Sequence, residues 1–140
     1  MKILLDTCVL AEVRKPQCNP NVRAAVSNAQ DRDLFISVIA IGEITKGISL
    51  LADGQKKDDL EIWLSGLCDR FGDRILAIDR ATASIWGKIT AQGQSAGTVV
   101  QTADGLIAAT ALRHGLCVMT RNIRHFAVSG LSILDPWQEP

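Results

Sequence analysis

The sequence predicts a single α/β domain built on a short, mostly parallel sheet of about four or five strands, with helices on both faces. Three observations carry this. Short apolar runs (KILLD, DLFIS, ILAID, LCVMT) alternate with longer stretches of helical composition, the pattern of a parallel sheet flanked by helices. Ile3, Leu4 and Leu5 are apolar at successive positions, as a strand covered on both faces must be. The 140 residues hold no repeat, linker or low-complexity segment, so one domain spans 1–140.

The elements follow in order. KILLD, residues 2–6, is the first strand and closes on an acid. TCVLAEVRK, 7–15, is a helix stopped before Pro16, because a residue preceding proline is pushed out of the helical region. Asn19-Pro20 opens a second helix through VRAAVSNAQ, with proline at the first helical position, where its missing N–H costs nothing. DLFIS, 33–37, is the second strand. VIAIGEITKGISLLADG, 38–54, is a helix whose Ile41, Ile44, Ile48 and Leu51 recur at helical spacing, and Asp53-Gly54 ends it. In KKDDLEIWLSGLCDRF, 56–71, Leu60, Trp63, Leu64 and Leu67 share one helical stripe.

ILAID, 75–79, is the third strand and also closes on an acid, Asp79. ATASIWGKITAQGQ is a helix loosened at Gly93 and Gly97. TADGLIAATALRHG is a helix of small and apolar residues, packed on most sides, with Gly115 as its C-cap. LCVMT, 116–120, is the fourth strand, and RNIRHF leads to LSILD, 131–135, a fifth.

Composition narrows the function classes. Apolar residues make up 47% of the chain and charged residues 21%, an ordinary globular balance. Fifteen basic residues balance 15 acidic ones, so this is no protein that coats nucleic acid electrostatically. Any contact with nucleic acid must be local. The cysteines at 8, 18, 68 and 117 form no CxxC pair and stand at no zinc-finger spacing from a histidine. They read as small apolar filler in a reducing compartment. No apolar run approaches the ~20 residues of a membrane span, and a cytoplasmic location is expected.

In open parallel sheets, chemistry gathers beyond the carboxyl ends of the strands. Asp6 stands at one such end, and Thr120-Arg121-Asn122 at another. Two more acids stand in apolar company. Glu43 interrupts VIAIGEITKGI, and Asp104 lies on the first turn of the Ala-rich helix. Singly, each has an ordinary role: Asp6 as a turn residue, Glu43 as an exposed acid or a partner of Lys46, Asp104 as a capping acid favoured by the helix dipole. Together they suggest carboxylates crowded in a cleft, where they repel. A divalent cation resolves that repulsion, and oxygen ligands select Mg²⁺ or Mn²⁺ over zinc. Such a cation suits phosphate chemistry.

Four stretches, ILLDTCVLAEV, SVIAIGEITKGI, TADGLIAATALRHG and VMTRNIRHF, with the closing LSILDPW, resemble the PIN-domain family in order along nearly the whole chain. The likeness is to its VapC-type toxins of toxin–antitoxin pairs, FitB-like branch. That resemblance implies a ribonuclease whose acids hold Mg²⁺, with Mn²⁺ as a substitute. Asp6, Glu43 and Asp104 match the metal-binding acids. Thr7 matches the hydroxyl beside the first acid, and Thr120 and Asn122 the polar residues after the fourth strand. His125 stands where related chains carry a further acid, which leaves the number of metals open. The resemblance also implies an RNA substrate, a small cognate antitoxin that sends a basic residue into the acidic cleft, and a homodimer.

Arg121, Arg124 and His125 are candidate RNA contacts near that edge, joined by Arg113 and His114; each also reads as solvated surface. Trp63, Trp86 and Trp137 read as core anchors. Two other classes stay open. One is a catalytically weak binding module whose acids grip a partner's basic segment. The other is a phosphate-transfer receiver or phosphatase with Asp6 as nucleophile, disfavoured because the first strand has neither a DxD after it nor paired acids at its end.

Overall fold

The computed structural model describes residues 1–128 and 130–138. Five strands, β1 (Ile3–Leu5), β2 (Leu34–Ser37), β3 (Ile75–Leu76), β4 (Cys117–Met119) and β5 (Ile133–Leu134), form a sheet in the order β3-β2-β1-β4-β5. Every pairing is parallel. Among the described residues six α-helices cover it: α1 (Thr7–Arg14), α2 (Pro20–Asn28), α3 (Val38–Ser49), α4 (Gln55–Phe71), α5 (Arg80–Ser95) and α6 (Thr102–His114).

The period of two along each strand divides the core. Ile3 and Leu5 of β1, with Leu34 and Ile36 of β2, point to one face, where Val9, Leu10, Val22, Leu67 and Phe71 pack. Leu4 and Val118 point to the other, against Ile89, Ile107, Ala108 and Ala111 of α5 and α6. Alternate residues thus serve opposite cores, which is why Ile3-Leu4-Leu5 is apolar without interruption.

Strand lengths are set by available partners. β3 pairs only with β2, and Ser37, opposite Leu76, is where β2 gives way to α3. With no ladder beyond it, β3 ends at Leu76, shorter than the ILAID run, and Asp79 becomes the N-cap of α5, accepting from the Thr82 N–H at 2.8 Å. The helix expected to reach Gly54 stops at Ser49. The chain turns back there so that α4 can pack on α3, leaving Leu50 77% exposed. Ile41, Ile44 and Ile48 of α3 are spent on the first core and its surroundings. Trp63 and Trp137 pack on the first core and Trp86 on the second. All four cysteines are free. Among the described residues no helix is long and apolar enough to cross a membrane.

One close approach positions the site. Gly105 is buried on the first turn of α6, beside Asp104. A Cβ there would lie 3.0 Å from Trp86 Cδ1 and 3.1 Å from Val100 Cγ1. The Trp86 Nε1–H is buried beneath this contact and has no hydrogen-bond partner among the described residues. Ala at a helix position gains about 1 kcal/mol over Gly, but overpacking a rigid indole costs about 1–3 kcal/mol. Gly105→Ala is therefore expected to destabilise by about 1 kcal/mol in urea denaturation. A gain in stability would show that the indole can yield.

Candidate active site at the carboxyl edge of the sheet

From β1 the chain first builds outward to β2 and β3, then returns to lay β4 and β5 on the other side. The β1–β4 seam is thus the topological switch point, where open parallel sheets leave a crevice. The Asp6 N–H donates to the Met119 carbonyl at 3.0 Å, closing this seam. Asp6 then leaves the ladder and caps α1: its Oδ1 accepts from the Thr7 N–H at 2.8 Å. The acid that closes the first strand is both the strand's stop and the helix's start.

Its other oxygen is held from β4. The Thr120 hydroxyl donates to Asp6 Oδ2 at 2.7 Å and accepts from the Asn122 N–H at 3.0 Å. Asp6 is 3% exposed and Thr120 wholly buried. Glu43 lies on α3, which packs against both α1 and α6. The Thr7 hydroxyl donates to Glu43 Oε1 at 2.7 Å, tying the second acid to the residue beside the first. Asp104 comes from the first turn of α6, and its Oδ2 lies 3.1 Å from His125 Nδ1.

Four of the residues expected from sequence, Asp6, Thr7, Glu43 and Thr120, are joined by these hydrogen bonds, and Asp104 stands near enough for the charges of Asp6 and Glu43 to act on its carboxyl. Asn122 takes part through its backbone N–H. Arg124 and His125 border Asp104. Arg121 stacks on Trp137, 5.2 Å from the ring centre. Arg113 does not belong here: it stands about 13 Å along α6 from Asp104 at 1.5 Å rise per residue and pairs with Asp79 at 3.8 Å. His114 adjoins it. The expectation that these two lie at the active edge fails because α6 runs away from that edge. Cys8, read as filler, touches the site: its Sγ lies 3.5 Å from Asp6 Oδ2 and 3.6 Å from the Thr120 hydroxyl. Its spacing of two from Asp6, inside a helix capped by Asp6, is the signal that marks it.

Electrostatics bind the three acids into one group. Burial first, then the negative charge of Asp6 and, more weakly, that of Glu43, push the Asp104 carboxyl above its ordinary range; His125 opposes them. Burial, with Asp6 nearby, also raises the Cys8 thiol, so Cys8 is a neutral S–H neighbour rather than a nucleophile. Among the described residues, no Lys or Arg forms an ion pair with Asp6, Glu43 or Asp104.

The donor set fits a hard divalent cation: three carboxylates, all oxygen, with repulsion that no Lys or Arg relieves. The cage is not preassembled. Among the described residues, no three His, Cys, Asp or Glu side chains stand together as a ready metal cluster, and the Asp6 oxygens are spent on Thr7, Thr120 and Cys8. Charge and donor chemistry match the cation.

Because the folded-state value of Asp104 is raised, folding favours its neutral form. The cost of ionising it is fully present above that raised value and is relieved as pH falls through it. Metal-free Asp104→Asn protein should therefore melt higher than the parent near neutral pH, with the gap closing on acidification. Calorimetry across pH tests this. A lower melting temperature for the Asn variant at neutral pH would mean that the lost His125 contact outweighs the repulsion.

An all-parallel sheet with helices on both faces, Asp6 at the end of β1, Glu43 on α3 and Asp104 on α6 defines the class of this protein. The family model for the PIN domain matches residues 3–131, and the chain belongs to that family. The toxin FitB of Neisseria gonorrhoeae is 36% identical over 138 residues, covering 98% of this chain and 99% of that one. The VapC ribonuclease Y4jK of Sinorhizobium fredii is 31% identical over 137 residues, covering 97% and 98%. The crystal structure of FitAcB from Neisseria gonorrhoeae superposes with a TM-score of 0.91 at 36% identity, over 98% of this chain and 99% of that one.

Proposed function

We propose that this chain is a Mg²⁺-dependent endoribonuclease, able to use Mn²⁺, that acts in the cytoplasm as the toxin of a type II toxin–antitoxin pair. The observation that carries the reading is the hydrogen-bonded chain Thr120–Asp6–Thr7–Glu43 at the switch point, with Asp104 close enough to feel the charges of both acids and, among the described residues, no Lys or Arg in an ion pair with any of the three. Two near-full-length relatives, one named a toxin and one a ribonuclease, support it.

Asp6, Glu43 and Asp104 would hold the cation, which when bound supplies a Lewis acid for the phosphate and lowers the pKa of water. The chain's own hydroxyls do the positioning. Thr120 and the Thr7 N–H fix both oxygens of Asp6, and the Thr7 hydroxyl aims Glu43. Arg124 and His125, which line a cavity with Asp104, would meet the RNA backbone there.

The purified chain, incubated with a cellular RNA pool, should cut RNA with Mg²⁺ and stop when EDTA is added. Cleavage that persists in EDTA, or none in either condition, sinks the reading. A second reading, a weak enzyme whose acids grip a basic partner segment, is favoured by the hydrogen-bonded state of Asp6, whose two oxygens accept from Thr7 and Thr120. The two readings meet in the antitoxin. Its Arg or Lys, placed among the three acids, would displace the cation and silence the enzyme. Copurification with the product of the adjacent small gene, with inhibition relieved by excess Mg²⁺, is the expected outcome. The active form is expected to be a homodimer.

A further inference from the structure

A cavity of ≈ 110 Å³ opens beside Asp104, between the α5–α6 loop and the residues after β4. At roughly 30 Å³ per water it takes about three or four waters, or one flat ring. Val99 and Val100 from the loop, with Ala127 and Val128 from the segment after β4, give it apolar lining, and Gln101, Arg124 and His125 give it polar groups.

The loop is built rather than slack. Gly97 turns it with φ +76°. The Thr98 N–H donates to the Gly93 carbonyl at 2.7 Å. Val100 lies against Gly93 and Gly105 so closely that a Cβ on Gly93 would come within 2.9 Å of it. These contacts hold Val99 out in water, 85% exposed, where it adds nothing to the core. The His125 ring is oriented by its contact with Asp104. Apolar lining, an oriented imidazole and polar groups suit a planar heterocycle. Arg124 repels a basic peptide and attracts a phosphate.

We propose that this cavity is a subsite for one base of single-stranded RNA, adjoining the phosphate presented to Asp6, Glu43 and Asp104. The inference rests on the ribonuclease reading. The base lies between Val99 and the His125 ring, Gln101 reads its edge, and Arg124 meets the phosphate of the same nucleotide.

The test uses full-length Asp6→Asn protein, in which cleavage is expected to be slow enough for binding to be read. Fluorescein-labelled RNA homohexamers of A, C, G and U are titrated by anisotropy, then resynthesised with one abasic position walked along the strand. At one position, loss of the base should weaken binding about fivefold, the scale of losing one small apolar contact. Val99→Ser, at a water-exposed position, should erase that dependence and leave binding of the abasic strand unchanged. An abasic profile that is flat, an unaltered profile in Val99→Ser and Gln101→Ala, or no binding to any hexamer overturns the subsite. In the cutting protein, Val99→Ser should broaden base preference at one position next to the cut. If the parent chain cuts no RNA, the ribonuclease reading falls, and the abasic profile still decides the cavity.

Discussion

Asp6→Asn is expected to lower RNA cleavage roughly a hundredfold to a thousandfold, the scale of removing one electrostatic element from an active site, and to leave the fold intact. Asn caps helices as well as Asp does, so the bond from the Thr7 N–H survives. The change falls on the second oxygen. Where Oδ2 accepts from Thr120 at 2.7 Å, an amide N–H would face that hydroxyl, and a charge-assisted bond is lost. Against this, the charge that most repels Asp104 disappears. A cost of about 1–2 kcal/mol for the exchanged bond is thus partly offset, and the melting temperature should shift by only a few degrees. The Asp104 carboxyl should move back toward its ordinary range without reaching it, because burial is the larger cause of its shift. Cleavage assays and an NMR titration of Asp104 check the two halves. An Asn variant that cuts at the parent rate would make Asp6 a cap and nothing more.

How much of this was legible beforehand depends on what decides each feature. The strand cores were readable because a parallel strand covered on both faces has no polar positions, and Ile3-Leu4-Leu5 shows it. The order of strands and helices, and the placing of Asp6 and Thr120 at a strand's carboxyl end, followed from that. Element ends were less legible. Nothing local in ILAID says that its ladder partner runs out at Ser37. The direction of α6 relative to the sheet, which separates Arg113 from Asp104, is likewise a tertiary fact. Cys8 was hidden because a thiol in a helix is usually packing, and its place between Asp6 and Thr120 arises only when β1 meets β4. The loop at 97–101 was the least legible. Its shape comes from Gly93 and Gly105 admitting Val100, whereas the sequence marked Gly93 and Gly97 only as loosening a helix.

The second large effect is expected at Thr120. Valine matches threonine in shape, so Thr120→Val deletes a hydroxyl and little else. That hydroxyl is wholly buried, which leaves water no easy way to replace it. It donates to Asp6 and accepts from the Asn122 N–H, so two partners lose their bond at once. Unmade buried bonds cost about 1–3 kcal/mol, and stability should fall by that order in urea denaturation. Activity should fall further than stability explains. Asp6 keeps its charge but loses the donor that orients Oδ2, with only the weaker Cys8 contact left there. Removing such a supporting partner typically costs about 10–100-fold in metal affinity or activity. Thr120→Ser, which keeps the hydroxyl, should recover most of the rate, and that separates positioning from packing. In the Asp6→Asn background the same Thr120→Val change should cost almost no further activity, because the group it orients is already disabled. Full additivity of the two substitutions in the cleavage rate would show that Thr120 does not act through Asp6.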